Sequence, residues 1–225
     1  NPLELTKTLT GLDTELIDQS GAPTGEHHLI TYNPPVVNRQ LSIRSGVVKT
    51  SYRIASELIT AGVPTIIFAG GRLQVEIILK YLREALVRDR LSPELVQGYR
   101  GGYLPLKRRR IEAGLRAGTV KAVVATNALE LGIDIGDLTA CVIAGYPGSI
   151  ASMRQQSGRA GRREGTALTV FVARSSPIDQ YLVTHPELLH GAPVEHARAN
   201  PDNLFVLVDH AKCAAFELPF KPDEP

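Results

Sequence analysis

Two rhythms of apolar and polar positions alternate along the chain. Short apolar stretches at Pro64 to Ala69 (PTIIFA), Val120 to Thr126 (VKAVVAT), Thr139 to Ala144 (TACVIA) and Ala167 to Ala173 (ALTVFVA) predict buried strands. Between them the period lengthens. Val75, Ile78, Leu79, Leu82 and Leu86 keep three-and-four spacing, which predicts an amphipathic helix over Arg72 to Arg88. Further helices are expected over Ser45 to Ala61, over Leu106 to Leu115 with Pro105 at its start, and over Ile150 to Gln156. His28 to Tyr32, ended by Pro34-Pro35, and the weaker Leu95 to Tyr99 complete the expected strands of this region. At the start, Asn1-Pro2-Leu3-Glu4 has the cap, proline and acid of a helix N-terminus, and Gly11 stops it. Thr14 to Ile17 is a short strand candidate, Gly21 to Glu26 reads as a linker, and Leu204 to Leu218 reads as one buried helix.

Apolar strands separated by helices imply a parallel sheet covered on both faces. The expected fold class is therefore α/β, a doubly wound, mostly parallel sheet flanked by helices, with a short helical C-terminal extension. Ligands of such sheets bind at the carboxyl ends of the strands.

Composition changes this picture little. The 225 residues are 43% hydrophobic and 21% charged, as in a folded globular chain. No apolar run approaches the roughly 18 residues that would span a bilayer, so no membrane partner is expected. The chain opens at Asn1 without a leader and reads as a piece of something longer. A net charge of +2 does not by itself announce a nucleic-acid partner. Local clusters say more: Lys107 to Arg110 form one, and Arg154, Arg159, Arg162 and Arg163 another. The first is either a solvated helix face or the extension of a phosphate-binding track. Cys141 and Cys213 both sit in apolar surroundings, read as reduced core residues and fit a cytoplasmic location. His27-His28, His185 and His190 lack metal-ligand spacing, and no metal site is expected.

Two segments carry chemistry. In Gln155-Gln156-Ser157-Gly158-Arg159-Ala160-Gly161-Arg162, two arginines three apart on a helical turn would project to one side, each beside a glycine. Guanidinium groups suit a phosphoryl group because they stay charged and offer a planar fork of donors. The second segment, Ala125 to Ile135 (ATNALELGIDI), follows an apolar strand and places Thr126 and Asp134 at the ligand edge of the sheet. Thr126 suits a nucleic-acid phosphate; Asp134 suits either a ribose hydroxyl or the holding of an arginine.

Together these segments resemble motifs V and VI of the superfamily 2 helicases. Ile66 to Arg72 (IIFAGGR) resembles motif IV of that family, and Tyr99 to Pro105 (YRGGYLP) the motif that follows it. Near the C-terminus, Tyr181 to Glu187 and the stretch from Asn200 to Glu217 resemble the YprA-like DNA repair helicases, which are 3′-to-5′ DNA helicases. The resemblance covers nearly the whole chain and implies a RecA-like fold. It assigns residues 1–24 to the end of a first RecA-like lobe and its linker, 25–176 to the second lobe, and 177–225 to the start of an accessory region.

The same resemblance implies that Arg159 and Arg162 act as arginine fingers, with Gln155 orienting a finger or the attacking water. Gly132, Asp134 and Gly158 would adjoin ATP. Gly70, Gly71, Arg72, Arg100, Gly101, Thr126 and Asn127 would meet the backbone of single-stranded or partly duplex DNA, with RNA as the alternative. Neither a phosphate loop of the G-x-x-x-x-G-K-[ST] type nor the acidic metal-binding motif occurs, so ATP and Mg²⁺ would be held mainly by the first lobe. The piece alone is thus expected to be inactive. Gln155 replaces the His common in RNA helicases, which favours DNA, and Gly70-Gly71 suggest backbone N–H contacts where a Ser often stands. Tyr99 and Tyr103 are left between stacking on bases and packing on the sheet. A non-catalytic, helicase-like interaction module is the rival reading outside enzymes.

Overall fold

The structure is a computed structural model that describes residues 1–19, 21, 25–130, 138–161 and 165–221. Its contacts separate two compact units, Ala22–Val194 and Asn1–Gly21 with Glu195–Pro225.

The larger unit is built on a six-stranded sheet of β1 (His27–Tyr32), β4 (Thr65–Ala69), β5 (Val96–Tyr99), β6 (Ala122–Ala125), β7 (Ala140–Ala144) and β8 (Ala167–Val172). The strand order is β1-β8-β7-β4-β6-β5, and every pairing is parallel. Alternate residues divide cleanly between two cores because side chains alternate faces along a strand. Ile66, Phe68, Val123, Cys141, Ile143 and Phe171 enter one core; Ile67, Ala69, Val124, Val142, Val170 and Val172 enter the other. Helices α2 (Val47–Thr60) and α3 (Arg72–Arg88) cover the second face, with Val75, Ile78, Leu82 and Leu86 as the buried stripe. The first face is covered from α4 (Pro105–Arg116), α5 (Ile150–Ser157), α6 (Pro177–Thr184) and α7 (Glu187–Gly191), through Ile111, Ile150, Met153, Leu182 and Leu189. This is the doubly wound, parallel α/β architecture the periodicities predict, and the RecA-like fold the resemblance implies.

Strand order reverses at β4. From there the chain runs outward to β5 and back through β6, then crosses to β7 on the other side. Connections leaving β4 and β7 therefore diverge onto opposite faces, which opens a crevice at their carboxyl ends.

The structure departs from the sequence reading at four places. Thr14 to Ile17 is not a strand; it pairs with no other strand among the described residues, and a lone extended segment has no ladder to hold it. A small antiparallel ribbon of β2 (Val36–Asn38) and β3 (Ile43–Arg44) follows the Pro34-Pro35 stop, too short for any periodic signal. Helix α6 was not anticipated beyond Ser175, although Ser176 caps it by accepting from the Asp179 N–H and Pro177 occupies its first turn. In the smaller unit, α1 (Pro2–Thr10) forms as predicted and ends on Gly11 at φ 72°. Its companion α8 (Leu204–Glu217) forms too, but contains no buried residue, and Cys213 is exposed rather than in a core. Apolar composition sets the expectation of burial, whereas burial itself needs a covering surface.

Candidate nucleic-acid interface

Loops at the carboxyl ends of five strands meet around a groove of about 380 Å³. Gly70, Gly71 and Arg72 come from the end of β4, Gly101 from beyond β5, and Thr126 and Asn127 from the end of β6. Six of the seven residues assigned to nucleic acid thus line one cavity. Arg72 is the first residue of α3, whose leading N–H groups have no partner within the helix and favour an anion. The Gly70 N–H donates to Gln74 Oε1 at 3.1 Å, fixing the turn. Thr126 Oγ1 accepts from the Ala128 N–H at 3.4 Å and caps the 3-10 turn Asn127–Leu129.

Arg100, the seventh, stands beside the groove in a different setting. Its Nε donates to Glu76 Oε1 at 2.7 Å, and its guanidinium lies 4.9 Å from the centre of the Tyr103 ring. That hydrogen bond holds the Glu76 carboxyl below its ordinary range. The Tyr103 hydroxyl also donates to Glu76, at 3.2 Å, while Lys107 Nζ lies 3.9 Å from the ring centre. Burial, then the Glu76 charge, pushes the Tyr103 hydroxyl up. Tyr99 is 1% exposed and donates to Glu112 Oε1 at 2.9 Å. Packing, not an open stacking face, is what both tyrosines display.

On the opposite wall, Glu130 joins the two motif segments. Its carboxylate accepts from Ser152 Oγ at 2.6 Å and from Gln156 Nε2, and its carbonyl accepts from Arg159 Nη2. Arg159 is buried and lies just past the end of α5, in a turn rather than on a helical one. Gly158 forms that turn and also borders a separate cavity of about 280 Å³ with His27 and His190. Gly161, at φ 77°, brings the chain so close to β8 that a Cβ there would overlap Ala167. Gln155 is exposed, whereas its neighbour Gln156 is buried and borders the groove. Arg162, Gly132 and Asp134 lie outside the described residues.

Several groove residues carried no assignment from the sequence: Glu130, Gly145, Pro147, Ser152, Gln156 and Arg174. For Gln156 a signal existed, since Ile150, Met153 and Gln156 are three apart and share the buried side of α5. Among the described residues no three His, Cys, Asp or Glu side chains cluster to hold a metal ion, and no helix is long and apolar enough to cross a membrane.

A six-stranded RecA-like sheet, with glycines, arginines and a strand-end threonine gathered at its carboxyl edge, defines the second lobe of a superfamily 2 helicase. Residues 50–164 match the helicase conserved C-terminal domain, and the chain belongs to that family. It is 54% identical over 224 residues to the uncharacterized ATP-dependent helicase YprA of Bacillus subtilis (strain 168), covering all of this chain and 30% of YprA. The crystal structure of the helicase MrfA bound to DNA superposes with a TM-score of 0.91 at 52% identity, over 100% of this chain and 30% of that one. The MrfA structure bound to DNA and AMPPNP gives 0.89 at 53% identity, over 100% of this chain and 31% of that one. The chain therefore spans about a third of the length of these relatives.

Proposed function

We propose that this lobe is the second motor domain of an ATP-dependent 3′-to-5′ DNA helicase or translocase of the cytoplasm, acting in DNA repair. Residues 1–24 close a first lobe, 25–176 form this one, and 177–225 begin an accessory region. The observation that carries the reading is the convergence of Gly70, Gly71, Arg72, Gly101, Thr126 and Asn127, from three strand ends, on one groove. Phosphate contacts of this kind give affinity without reading sequence. The DNA bound to MrfA supports a DNA strand as the occupant.

Nucleotide chemistry belongs to the interface with the first lobe. The AMPPNP bound to MrfA supports ATP as the fuel, and the first lobe supplies the phosphate cradle and Mg²⁺. This chain contributes Arg159 and Arg162, whose guanidiniums stabilise charge on the transferred phosphoryl group. Gln155, exposed on α5, faces outward where the first lobe can reach it. Gly158 lets the chain turn toward the finger, and Gly132 and Asp134 adjoin the nucleotide. Glu130 ties the groove wall to Arg159, so a strand that shifts Thr126 and Asn127 also shifts the finger.

The test is Arg159→Ala in the complete protein. Single-strand binding should persist while ATP turnover falls at least tenfold; undiminished turnover removes the finger assignment. Comparing DNA- with RNA-stimulated turnover tests the choice of strand, and the isolated lobe should show no turnover.

A further inference from the structure

Arg174 stands at the carboxyl end of β8, outside every motif read from the sequence, yet it lines the groove. Its guanidinium lies across two backbone turns that lack side chains. A Cβ on Gly145 would overlap its Nε, Cζ and Nη2, and one on Gly70 would come within 2.8 Å of Nη2. Both glycines therefore leave room for this one side chain. Nη2 donates to the Ala144 carbonyl at 3.1 Å, and Nε is buried with no hydrogen-bond partner. Its main chain is also fixed, because the Arg174 N–H donates to Asp179 Oδ2 at 2.8 Å. Asp179 is spent on backbone N–H groups and Ser176, and no carboxylate ion pair to Arg174 occurs among the described residues. A guanidinium held at one corner, with donors left over and no counter-charge of its own, is set to receive an anion.

The groove's other charges agree with this. Arg72 brings a second cation, and the one carboxylate among the groove's described lining residues, Glu130, is engaged by Ser152 and Gln156. We infer that Arg174 is a phosphate-binding residue of the groove, pairing with Arg72 to clamp a backbone phosphate of the single strand. The inference rests on the groove being the nucleic-acid site and adds the residue that completes it. Arg174 works from both ends: Nη2 holds the β7 turn through Ala144, and Nη1 meets the phosphate.

The experiment uses the complete protein and a fluorescein-labelled dT20 oligonucleotide, with anisotropy read across a salt series. Arg174→Gln should raise Kd about tenfold and lower the slope of log K against log salt by about 0.7, the value of one lost phosphate contact on a single strand. A residue that only braced Ala144 would lower the melting temperature and leave that slope unchanged, and this outcome overturns the inference. Arg174→Lys keeps the charge but not the planar fork. It should keep the slope and raise Kd severalfold; wild-type affinity in a folded Arg174→Lys protein overturns the two-ended role, even where Arg174→Gln fails to fold. Arg72→Gln separates the two readings. A weakened Arg72→Gln beside an unaffected Arg174→Gln sinks only the assignment of Arg174, whereas unaffected binding in both sinks the groove itself.

Discussion

Gly145 lies directly beneath the Arg174 guanidinium, where a Cβ would overlap Nε and Cζ of that side chain. Gly145 also holds φ at 89°, in the left-handed region that side chains avoid. Gly145→Ala thus meets two penalties at once. The backbone strain alone costs about 1–2 kcal/mol, and displacing Arg174 adds to it. Urea unfolding should show a lowered midpoint at unchanged slope; a wild-type midpoint would mean that the turn is looser than described.

Asp179 is 1% exposed and joins the ends of β7 and β8. Its carboxylate accepts from the Tyr146 N–H at 3.1 Å, the Arg174 N–H at 2.8 Å and Ser176 Oγ at 2.8 Å. Asp179→Ala strands two backbone donors, each costing about 1–3 kcal/mol when left unpaired in the interior. A loss of about 2–4 kcal/mol is expected by denaturant titration. A change below the error of the measurement would show that water replaces the carboxylate.

The adjacent glutamines Gln155 and Gln156 should behave oppositely. Gln156 is buried against Glu130 and Ser152, so Gln156→Ala should lower the melting temperature and weaken strand binding together. Gln155 is exposed, so Gln155→Ala should leave the melting temperature alone and lower ATP turnover in the complete protein. Identical effects from the two substitutions would contradict the facing of α5.

Burial, reinforced by the hydrogen bond to Glu112 and its charge, pushes the Tyr99 hydroxyl up to about 12. In the unfolded chain a tyrosine titrates near about 10. Between these values the folded protein holds a proton that the unfolded chain has lost, so stability falls as pH rises through that window. Tyr99→Phe should flatten this decline in thermal melts taken from pH 9 to roughly 12. An unchanged profile would mean that Tyr99 ionises as readily folded as unfolded.

The sequence by itself determined the parallel sheet, most of its helices and the motifs that converge on its carboxyl edge. Strands such as Thr65–Ala69 and the Val75–Leu86 stripe announce themselves because period and apolarity are local properties of the chain. Only the tertiary structure decided which polar side chain meets which. It set Gln156 rather than Gln155 in the groove, tied Glu130 to Arg159, and laid Arg174 over Gly70 and Gly145. It also left α8 uncovered despite its apolar composition. The physical reason is common to all four. Burial and hydrogen bonding depend on partners brought together from distant positions, and a run of residues carries no record of what will lie against it.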